Sequence, residues 1–339
     1  MVADTVKKRW QGRKPQTAPS PFQVLALSGG GYRGLFSAMI LEEMENRAGK
    51  PLADCFDLIA GTSIGGILAC GIAAGVPAAK MREEFERQGK GIFERRIRLP
   101  GGLSFRVPRF GVFGAKYSRE GLEAAVAGTL GQASRTRIAE VAKPLVVTAV
   151  STTNGSAVLF DSRSNGGMKD VTLREVALST SAAPTYFPEF NIGGNSLVDG
   201  GIVANAPDAV AMMKAMSVFG QRPEEVRMLS IGTAGGVMGE VFRDGRSAGA
   251  LRWMVARNLF GLTVAAQQEL SLGLVRDLLG ERYLRIDVTP DNARAKVIAL
   301  DKADATATAT LRELAKQAME DAYQQRGGEL AAFLRHSAL

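Results

Sequence analysis

The clearest chemical signal in this sequence lies at residues 61–65, whose order Gly-Thr-Ser-Ile-Gly matches the pattern G-x-S-x-G. One apolar run, residues 55–60, comes directly before it, and another, residues 67–70, follows. This order predicts a strand, a tight turn and a helix, because small residues allow the backbone to turn sharply and leave the serine hydroxyl exposed. A serine held in this way can accept an acyl group, so Ser63 is the candidate nucleophile.

The choice of a base for Ser63 is narrowed by the histidine content. Histidine is the commonest base for a serine nucleophile, yet the chain contains a single histidine, His336. Because His336 lies close to the last residue, and terminal residues are often poorly ordered, we expect it to be a solvated tail residue. Either Ser63 is not catalytic, or its base is a carboxylate, a lysine or water.

A glycine-rich segment, residues 28–34 (Ser-Gly-Gly-Gly-Tyr-Arg-Gly), lies between a predicted strand at residues 23–27 and a predicted helix at residues 35–47. Glycines in this position leave successive backbone N–H groups pointing outward, beside the positive end of the helix dipole. Such a loop holds an anion, which could be a phosphate or the oxyanion of an acyl-transfer intermediate.

The same segment fits a second pattern, because Gly29, Gly31 and Gly34 satisfy G-x-G-x-x-G. The acidic residue that a dinucleotide-binding fold needs about twenty positions later could be Asp54 or Asp57. A dinucleotide fold does not require the next strand to end in G-x-S-x-G, however, so the hydrolase interpretation is favoured. A P-loop is excluded because no Gly-Lys-Ser/Thr follows the glycines.

A carboxylate that could serve as the base is Asp199, which follows a short predicted strand at residues 195–198 and precedes two glycines. A carboxylate at a strand end, with flexible residues behind it, can turn toward a neighbouring loop. An ordinary Asp-Gly turn is the alternative interpretation of this segment.

Taken together, the segments 28–34, 61–66 and 199–201 resemble the three signature blocks of patatin-like phospholipases, in the order of that family. Residues 180–187 resemble a further block, and the likeness spans about residues 22–235. The resemblance implies an α/β protein with the patatin-like three-layer fold, in which helices flank a mostly parallel central sheet. It also implies a Ser–Asp dyad that needs no histidine.

The resemblance assigns roles to individual residues. It implies that Ser63 is the nucleophile and Asp199 the base, and that neither a metal nor a cofactor is needed. It places the donors of the oxyanion hole on three consecutive amides, those of Gly29, Gly30 and Gly31. Arg33 matches the arginine of the first block and is expected to support the oxyanion loop. Ser28 stands where many members have aspartate, a position that is not a donor.

The chain has 339 residues and a formal net charge of +8. We expect a flexible basic segment at residues 1–21 and a single domain at 22–339, with a basic insertion near 88–120 and C-terminal helices at 306–335. The insertion and residues 242–257 combine basic and aromatic side chains, which suit membrane surfaces or nucleotide phosphates. An irregular solvated surface explains them equally well, and no motif for binding nucleic acid accompanies them.

The remaining composition favours an intracellular enzyme. Cys55 and Cys70 lie in apolar runs and are expected to be buried free thiols, typical of a reducing compartment. Residues 58–79 carry no charge and could span a bilayer by length, but five glycines and the G-x-S-x-G turn favour a strand, a turn and a buried helix. Two cysteines and one histidine offer no plausible zinc site.

A narrower resemblance is carried by residues 22–75, which look like bacterial patatin-like effectors of cyclic-oligonucleotide antiphage signalling. It implies a cytoplasmic enzyme that degrades membrane phospholipid, at the inner membrane, when a cyclic dinucleotide binds, and it is compatible with a homo-oligomer. Two alternatives remain open: a constitutive soluble carboxylesterase or thioesterase, and a non-catalytic nucleotide- or lipid-binding protein.

Overall fold

The computed structural model describes residues 20–93, 115–164, 168–235 and 259–338, together with the backbone of 97–98 and 104–105. Its strands are β1 (Phe22–Leu27), β2 (Leu58–Thr62), β3 (Ile97–Arg98), β4 (Ser104–Phe105), β5 (Leu145–Ser151), β6 (Ser156–Asp161), β7 (Phe190–Ile192), β8 (Asn195–Asp199), β9 (Val226–Ile231) and β10 (Tyr283–Ile286). Its helices are α1 (Gly34–Ala48), α2 (Ile64–Ala73), α3 (Ala78–Ile92), α4 (Arg119–Leu130), α5 (Leu173–Thr180), α6 (Gly201–Ala204), α7 (Asp208–Ser217), α8 (Leu259–Leu279), α9 (Asn292–Val297) and α10 (Ala305–Arg335).

Eight of these strands form the central sheet. Strands β10, β9, β1, β2 and β5 are neighbours in that order and run parallel. Strands β6, β7 and β8 join it through antiparallel pairs around β5. Helices connect the parallel strands, as parallel pairing requires. The predicted α/β class with a mostly parallel sheet is confirmed.

Both faces of the sheet are covered, which gives three layers. On β1, Leu25 and Leu27 point into the larger core, which also contains side chains of α1 to α5 and α10. Val24 and Ala26 point to the other face and pack with side chains of α7 and α8. The alternation follows from the two-residue period of a strand, and because β1 is buried on both sides it is apolar almost throughout.

The uncharged stretch at residues 58–79 is divided by the turn at Ser63. Its first part is β2, and its second part includes the ten-residue helix α2, all of which is buried. Within the described ranges, no helix is both long enough and apolar enough to cross a membrane. The prediction of a strand, a turn and a buried helix is confirmed.

The C-terminal helices form one element, α10, with an irregular residue inside it. Arg326 has φ −137° and ψ 30°, which are not helical values, so two helices meet there at a kink. Gly327 and Gly328 directly follow the kink. Two glycines in succession weaken a helix, and here the chain kinks beside them rather than stopping.

Several predicted segments lie wholly or largely outside the described residues. These are most of the basic N-terminal segment, most of the insertion near 88–120 and all of residues 242–257. In the insertion, β3 and β4 form a short antiparallel pair. The predicted division of the chain stays a prediction.

The expectation that His336 is a solvated tail residue is wrong. Its side chain is 7% exposed, and its Nε2 atom lies 3.0 Å from Oδ2 of Asp57. Its Nδ1 atom lies 3.0 Å from the hydroxyl of Ser20. The backbone N–H of Ala338 also donates to the carbonyl of Asp54. Hydrogen bonds therefore hold the segment after α10 against the residues that precede β2. These contacts explain why His336 is buried although it lies so near the end of the chain.

This contact predicts a stability effect. Replacing His336 with alanine leaves the buried Asp57 carboxylate without one of its hydrogen-bond partners, which should lower the free energy of unfolding by about 1–3 kcal/mol. Urea denaturation followed by circular dichroism measures this quantity. The Ser337→Ala variant is the matched control, because Ser337 is exposed and its loss should cost less than about 0.5 kcal/mol. Equal stability of the two variants would contradict the assignment.

Candidate active site

Ser63 occupies the sharp turn between β2 and α2. Its backbone has φ 56° and ψ −128°, a left-handed conformation that is rare for a residue other than glycine. The neighbouring glycines are required by close packing: a Cβ atom on Gly61 would lie 2.3 Å from the carbonyl oxygen of Gly65, and one on Gly65 would lie 2.3 Å from that of Leu27. The predicted sharp turn at Ser63 is thus present, with the strained geometry that often marks a functional residue.

Ser63 and Asp199 are in direct contact although 136 positions separate them in the sequence. The Ser63 hydroxyl donates a hydrogen bond of 2.6 Å to Oδ2 of Asp199. The two residues are largely buried, with 9% and 7% of their surfaces exposed. The structure therefore brings together the two side chains that the sequence proposed as nucleophile and base.

Strand register explains why they meet. Thr62, at the end of β2, pairs with Thr148 of β5, and Asp199, at the end of β8, pairs with Ala149. Strand β6 occupies the other side of β5 along residues 146–151. Strands β2 and β8 therefore lie on the same side of β5 and run toward each other, so that their last residues adjoin.

Hydrogen bonds hold both backbones in place. The N–H of Ser63 donates to the hydroxyl of Thr180 at 2.8 Å, and that hydroxyl donates to the carbonyl of Thr148 at 2.7 Å. The N–H of Asp199 donates to the carbonyl of Ala182 at 3.0 Å. The further block at residues 180–187, noticed in the sequence, thus contacts both members of the Ser–Asp pair.

The environment of Asp199 changes its acidity. Burial raises the pKa of Asp199 to about 6, against the opposing effect of the hydrogen bonds from the Ser63 hydroxyl and the Gly201 N–H. The latter bond, to Oδ1, is 2.7 Å long. A carboxylate with a raised pKa is a better proton acceptor than an ordinary one.

The three glycines expected to form the oxyanion hole are not equivalent. The N–H of Gly29 donates to the backbone carbonyl of Asn205 at 2.8 Å, so it is already in use and does not fit the expected donor role. The N–H groups of Gly30 and Gly31 have no hydrogen-bond partner in the described part of the chain. Gly31 has φ 56°, and a Cβ atom there would lie 2.3 Å from the carbonyl oxygen of Leu300, so glycine is required.

The orientation of the Gly30 amide follows from contacts to the preceding carbonyl. The carbonyl oxygen of Gly29 accepts hydrogen bonds from the Thr233 hydroxyl and from Nδ2 of Asn205, both 3.3 Å long. In a trans peptide the N–H points opposite to the C=O, so these donors turn the Gly30 N–H to the other side. Asn205 in turn donates to Oε1 of Gln268 at 2.6 Å.

Sequence reasoning missed these supporting side chains. Thr233, Asn205 and Gln268 lie in three separate segments, and none forms a motif by itself. The closest sequence signal is that Asn205 follows Asp199 by six residues, at the end of the same glycine-containing turn.

The glycine-rich segment at residues 28–34, called the glycine loop here, is packed against the turn at Ser63. A Cβ atom on Gly34, the first residue of α1, would lie 2.1 Å from the side chain of Ile64, the residue that follows Ser63. The close approach of Gly65 to Leu27 lies at the same contact. The loop and the turn therefore fit together only because both carry glycine there.

Arg33 lies at the end of the glycine loop. Burial lowers its pKa, while Asp287 and Tyr186 act in the opposite direction. Its Nε atom is buried and has no hydrogen-bond partner among the described residues. The backbone N–H of Arg33 donates to the carbonyl of Gly30 at 3.2 Å. This contact is consistent with the expected support of the oxyanion loop by Arg33, which stays a prediction.

Ser28, where many family members have aspartate, has a partner of its own. Its hydroxyl accepts a hydrogen bond of 2.9 Å from Arg285, which also donates to Ser230 at 2.7 Å and to Asp287 at 2.6 Å. The guanidinium thus ties together the ends of β1, β9 and β10 beneath the glycine loop.

The dinucleotide-binding alternative does not fit the geometry. Asp54 and Asp57 precede β2, whereas the glycine loop follows β1. Since β1 and β2 are parallel, these carboxylates lie at the opposite edge of the sheet from the loop. The ring nitrogens of His336 are engaged at that same edge, away from Ser63.

Cys55 and Cys70 are buried free thiols, as predicted. Burial raises the pKa of both thiols, so neither is an activated nucleophile. Over the residues that the structure describes, there is no group of three histidine, cysteine or acidic side chains that could hold a metal ion.

Comparison with known proteins agrees with this geometry. The model of the family described as patatin-like phospholipase matches residues 25–212, more than half of the chain. The chain belongs to the patatin-like phospholipase family. The enzyme class is therefore that of a lipid acyl hydrolase.

Relatives within the family share most of the chain. A Pseudomonas aeruginosa protein named cGAMP-activated phospholipase is 35% identical over 309 residues, which cover 89% of each chain. Proteins of the same name from Escherichia coli and Vibrio cholerae are 31% and 30% identical, and the matches cover 87% of this chain and 88% and 89% of theirs.

The raised pKa predicts how the reactivity of Ser63 depends on pH. Below about pH 6 Asp199 is protonated and cannot accept the serine proton, so the rate of labelling by a fluorophosphonate should rise with pH and level off above about pH 7. The apparent pKa should be about 6. In the Asp199→Asn variant labelling should be slow, and its rate should not change with pH near 6. If the rate of that variant rose over the same pH range, the pH dependence would belong to another group.

The support of the Gly29 carbonyl predicts a selective kinetic defect. Replacing Thr233 with valine keeps the side-chain shape but removes a donor, so the Gly30 N–H should be less well aimed. We expect kcat for a short-chain ester to fall about tenfold, less than the 10²–10³ of losing a whole oxyanion donor, with KM and Tm little changed. Thr233→Ser should restore kcat. Failure of serine to restore it, or an equal loss of Tm, would indicate a packing role only.

Proposed function

We propose that this protein is a phospholipase in which Ser63 attacks a carboxylic ester of a membrane phospholipid and Asp199 accepts the serine proton. The observation that carries the proposal is the buried hydrogen bond of 2.6 Å between the two side chains. Family membership supplies the substrate class, and the contact supplies the pair of groups that the reaction needs.

The first half of the reaction forms an acyl-enzyme. The Ser63 oxygen bonds to the ester carbonyl carbon while its proton passes to Asp199. The resulting oxyanion accepts hydrogen bonds from the N–H groups of Gly30 and Gly31. When the intermediate collapses, the bond to the alcohol oxygen breaks, and the alcohol leaves with the proton held by Asp199.

The second half releases the fatty acid. A water molecule gives a proton to Asp199 and attacks the acyl carbon, and Ser63 leaves with that proton. Proton transfer from a serine to a carboxylate is uphill, because a carboxylic acid is much the stronger acid. The raised pKa of Asp199 reduces this gap, and each oxyanion donor contributes a further factor of about 10²–10³ in rate.

We further propose that a cyclic nucleotide switches the enzyme on. The support is the name shared by relatives that are 30–35% identical over most of their length, cGAMP-activated phospholipase. In this proposal the protein acts in the cytoplasm as an antiphage effector and associates with the inner membrane when active. A phospholipase that was always active there would damage its own cell, which gives a reason for the switch.

The switch and the chemistry are tested together by fatty-acid release from phosphatidylethanolamine and phosphatidylglycerol vesicles, with and without cGAMP. Allosteric coupling of ordinary strength predicts an increase of about 5–150-fold on addition of the nucleotide. The Ser63→Ala variant should release nothing under either condition, whereas the exposed Ser217→Ala control should behave as the unmodified protein.

Different outcomes remove different parts of the proposal. Equal rates with and without cGAMP would reject this activator but leave the dyad. Hydrolysis of short-chain esters without any release from vesicles would favour a soluble esterase. Undiminished release by Ser63→Ala would reject the nucleophile.

A further inference from the structure

Exposed apolar side chains are concentrated in one part of the molecule. Within the described residues, nine large apolar side chains are exposed, and all lie on α6, α7 or α8 or directly after α7. They are Val203, Met213, Val218, Leu259, Phe260, Leu262, Leu270, Leu274 and Leu278. Because these three helices adjoin, the side chains belong to one side of the protein, and such clusters mark interaction sites.

The direction of α8 places its first turns at the edge of the sheet that is formed by the carboxyl ends of the parallel strands, where Ser63 lies. Near the C-terminal end of α8, Val275 and Leu279 pack with Tyr283, at the start of β10, in the smaller core. Near its middle, Gln267 donates to the carbonyl of Gly201, which follows β8. With a rise of 1.5 Å per residue, residues 259–262 extend about 7–12 Å beyond that contact, past the edge that carries Asp199.

Four exposed apolar residues thus lie on the two helices at this edge, and we refer to them as the apolar rim: Val203, Leu259, Phe260 and Leu262. Their side chains are 42–46% exposed. Val203 lies on α6, only four residues after Asp199. The remaining exposed leucines of α8 follow one another at intervals of four residues toward the opposite edge.

The inner side of α8 is joined to both halves of the active site. Gln267 donates to the carbonyl of Gly201 at 2.9 Å, next to the Asp199 loop. Gln268 accepts a hydrogen bond of 2.6 Å from Asn205, which supports the Gly29 carbonyl. The helix that carries most of the apolar rim is therefore attached to the loops that hold the base and the oxyanion donors.

We propose that the apolar rim is the surface by which the protein enters the interfacial region of a phospholipid bilayer. This inference rests on the proposed function, because a lipid whose acyl chains lie in a bilayer must reach the largely buried Ser63. The rim puts apolar side chains between bilayer and site, on the molecular edge where the ester has to arrive. The net charge of +8 adds attraction to an anionic surface.

The composition of the rim suits a bilayer. Its four apolar residues, each 42–46% exposed, can be buried in lipid without the shape-complementary partner surface that a protein interface requires. A few such side chains give the reversible attachment that an interfacial enzyme requires.

Site-directed fluorescence tests the position of the rim directly. A cysteine is introduced at Phe260 or, as the matched control, at Leu274 on the same helix, in a Ser63→Ala background that leaves vesicles intact. Each is labelled with the environment-sensitive dye NBD. Cys55 and Cys70 are buried, and the parent without an added cysteine corrects for any labelling of them. With vesicles of phosphatidylethanolamine and phosphatidylglycerol and with cGAMP present, the dye at residue 260 should brighten several-fold and shift to the blue, and the dye at 274 should not. A response at neither position, or an equal response at both, would overturn the proposal.

A second pair of variants, with Ser63 retained, keeps the test independent of the dye. Phe260→Asp should reduce fatty-acid release from the same vesicles by more than about tenfold, since it removes an apolar side chain from the contact with lipid and adds a charge. It should leave the hydrolysis of a monomeric short-chain ester unchanged, and Leu274→Asp should change neither. A change of molar mass in Phe260→Asp by light scattering would instead assign the rim to a second copy. If the unmodified protein hydrolysed no ester and its Ser63 resisted a fluorophosphonate, the proposed function would fail before this inference was reached.

Discussion

The active site depends on one constraint of strand pairing. Strands β2 and β8 approach along the same side of β5 from opposite directions, and their last residues pair with adjacent residues of β5, Thr148 and Ala149. No loop has to reach across the molecule to bring hydroxyl and carboxylate together. A sheet register is set by many backbone hydrogen bonds and by which side chains face the core, so the separation of Ser63 and Asp199 is fixed by the fold itself.

The buried position of Asp199 lowers the stability of the folded protein when its carboxylate is ionised. The pKa of Asp199 rises from its ordinary value near 4 to about 6 on folding. The folded protein therefore holds this proton more tightly than the unfolded chain, and stability falls as pH increases through this window. Above it the ionised carboxylate costs roughly 3 kcal/mol relative to an exposed one. The strained backbone of Ser63 adds to this cost, and the surrounding hydrogen bonds to Thr180 and Ala182 offset part of it.

The sequence predicted those parts of the site that carry a local pattern. Ser63 and the glycine loop could be found because sharp turns restrict the residue type, and Asp199 because it ends a strand before two glycines. The use of the Gly29 N–H by Asn205, and the support of the next peptide by Thr233, could not be predicted, since they depend on the packing of distant segments. The burial of His336 could not be predicted for the same reason. Its proximity to the chain end indicates exposure, whereas its burial depends on the tertiary contact with Asp57.

The packing between Gly34 and Ile64, and between Gly65 and Leu27, has a mechanical meaning. With no room for even a methyl group at this contact, the glycine-rich segment and the turn at Ser63 are close-packed, so that a shift of one displaces the other. Helix α1 carries neither Ser63 nor Asp199, yet its first turn helps to set the distance between the Ser63 hydroxyl and the N–H groups of Gly30 and Gly31. The alignment of the candidate site is thus set in part by a contact between the beginnings of two helices, through residues other than Ser63 and Asp199.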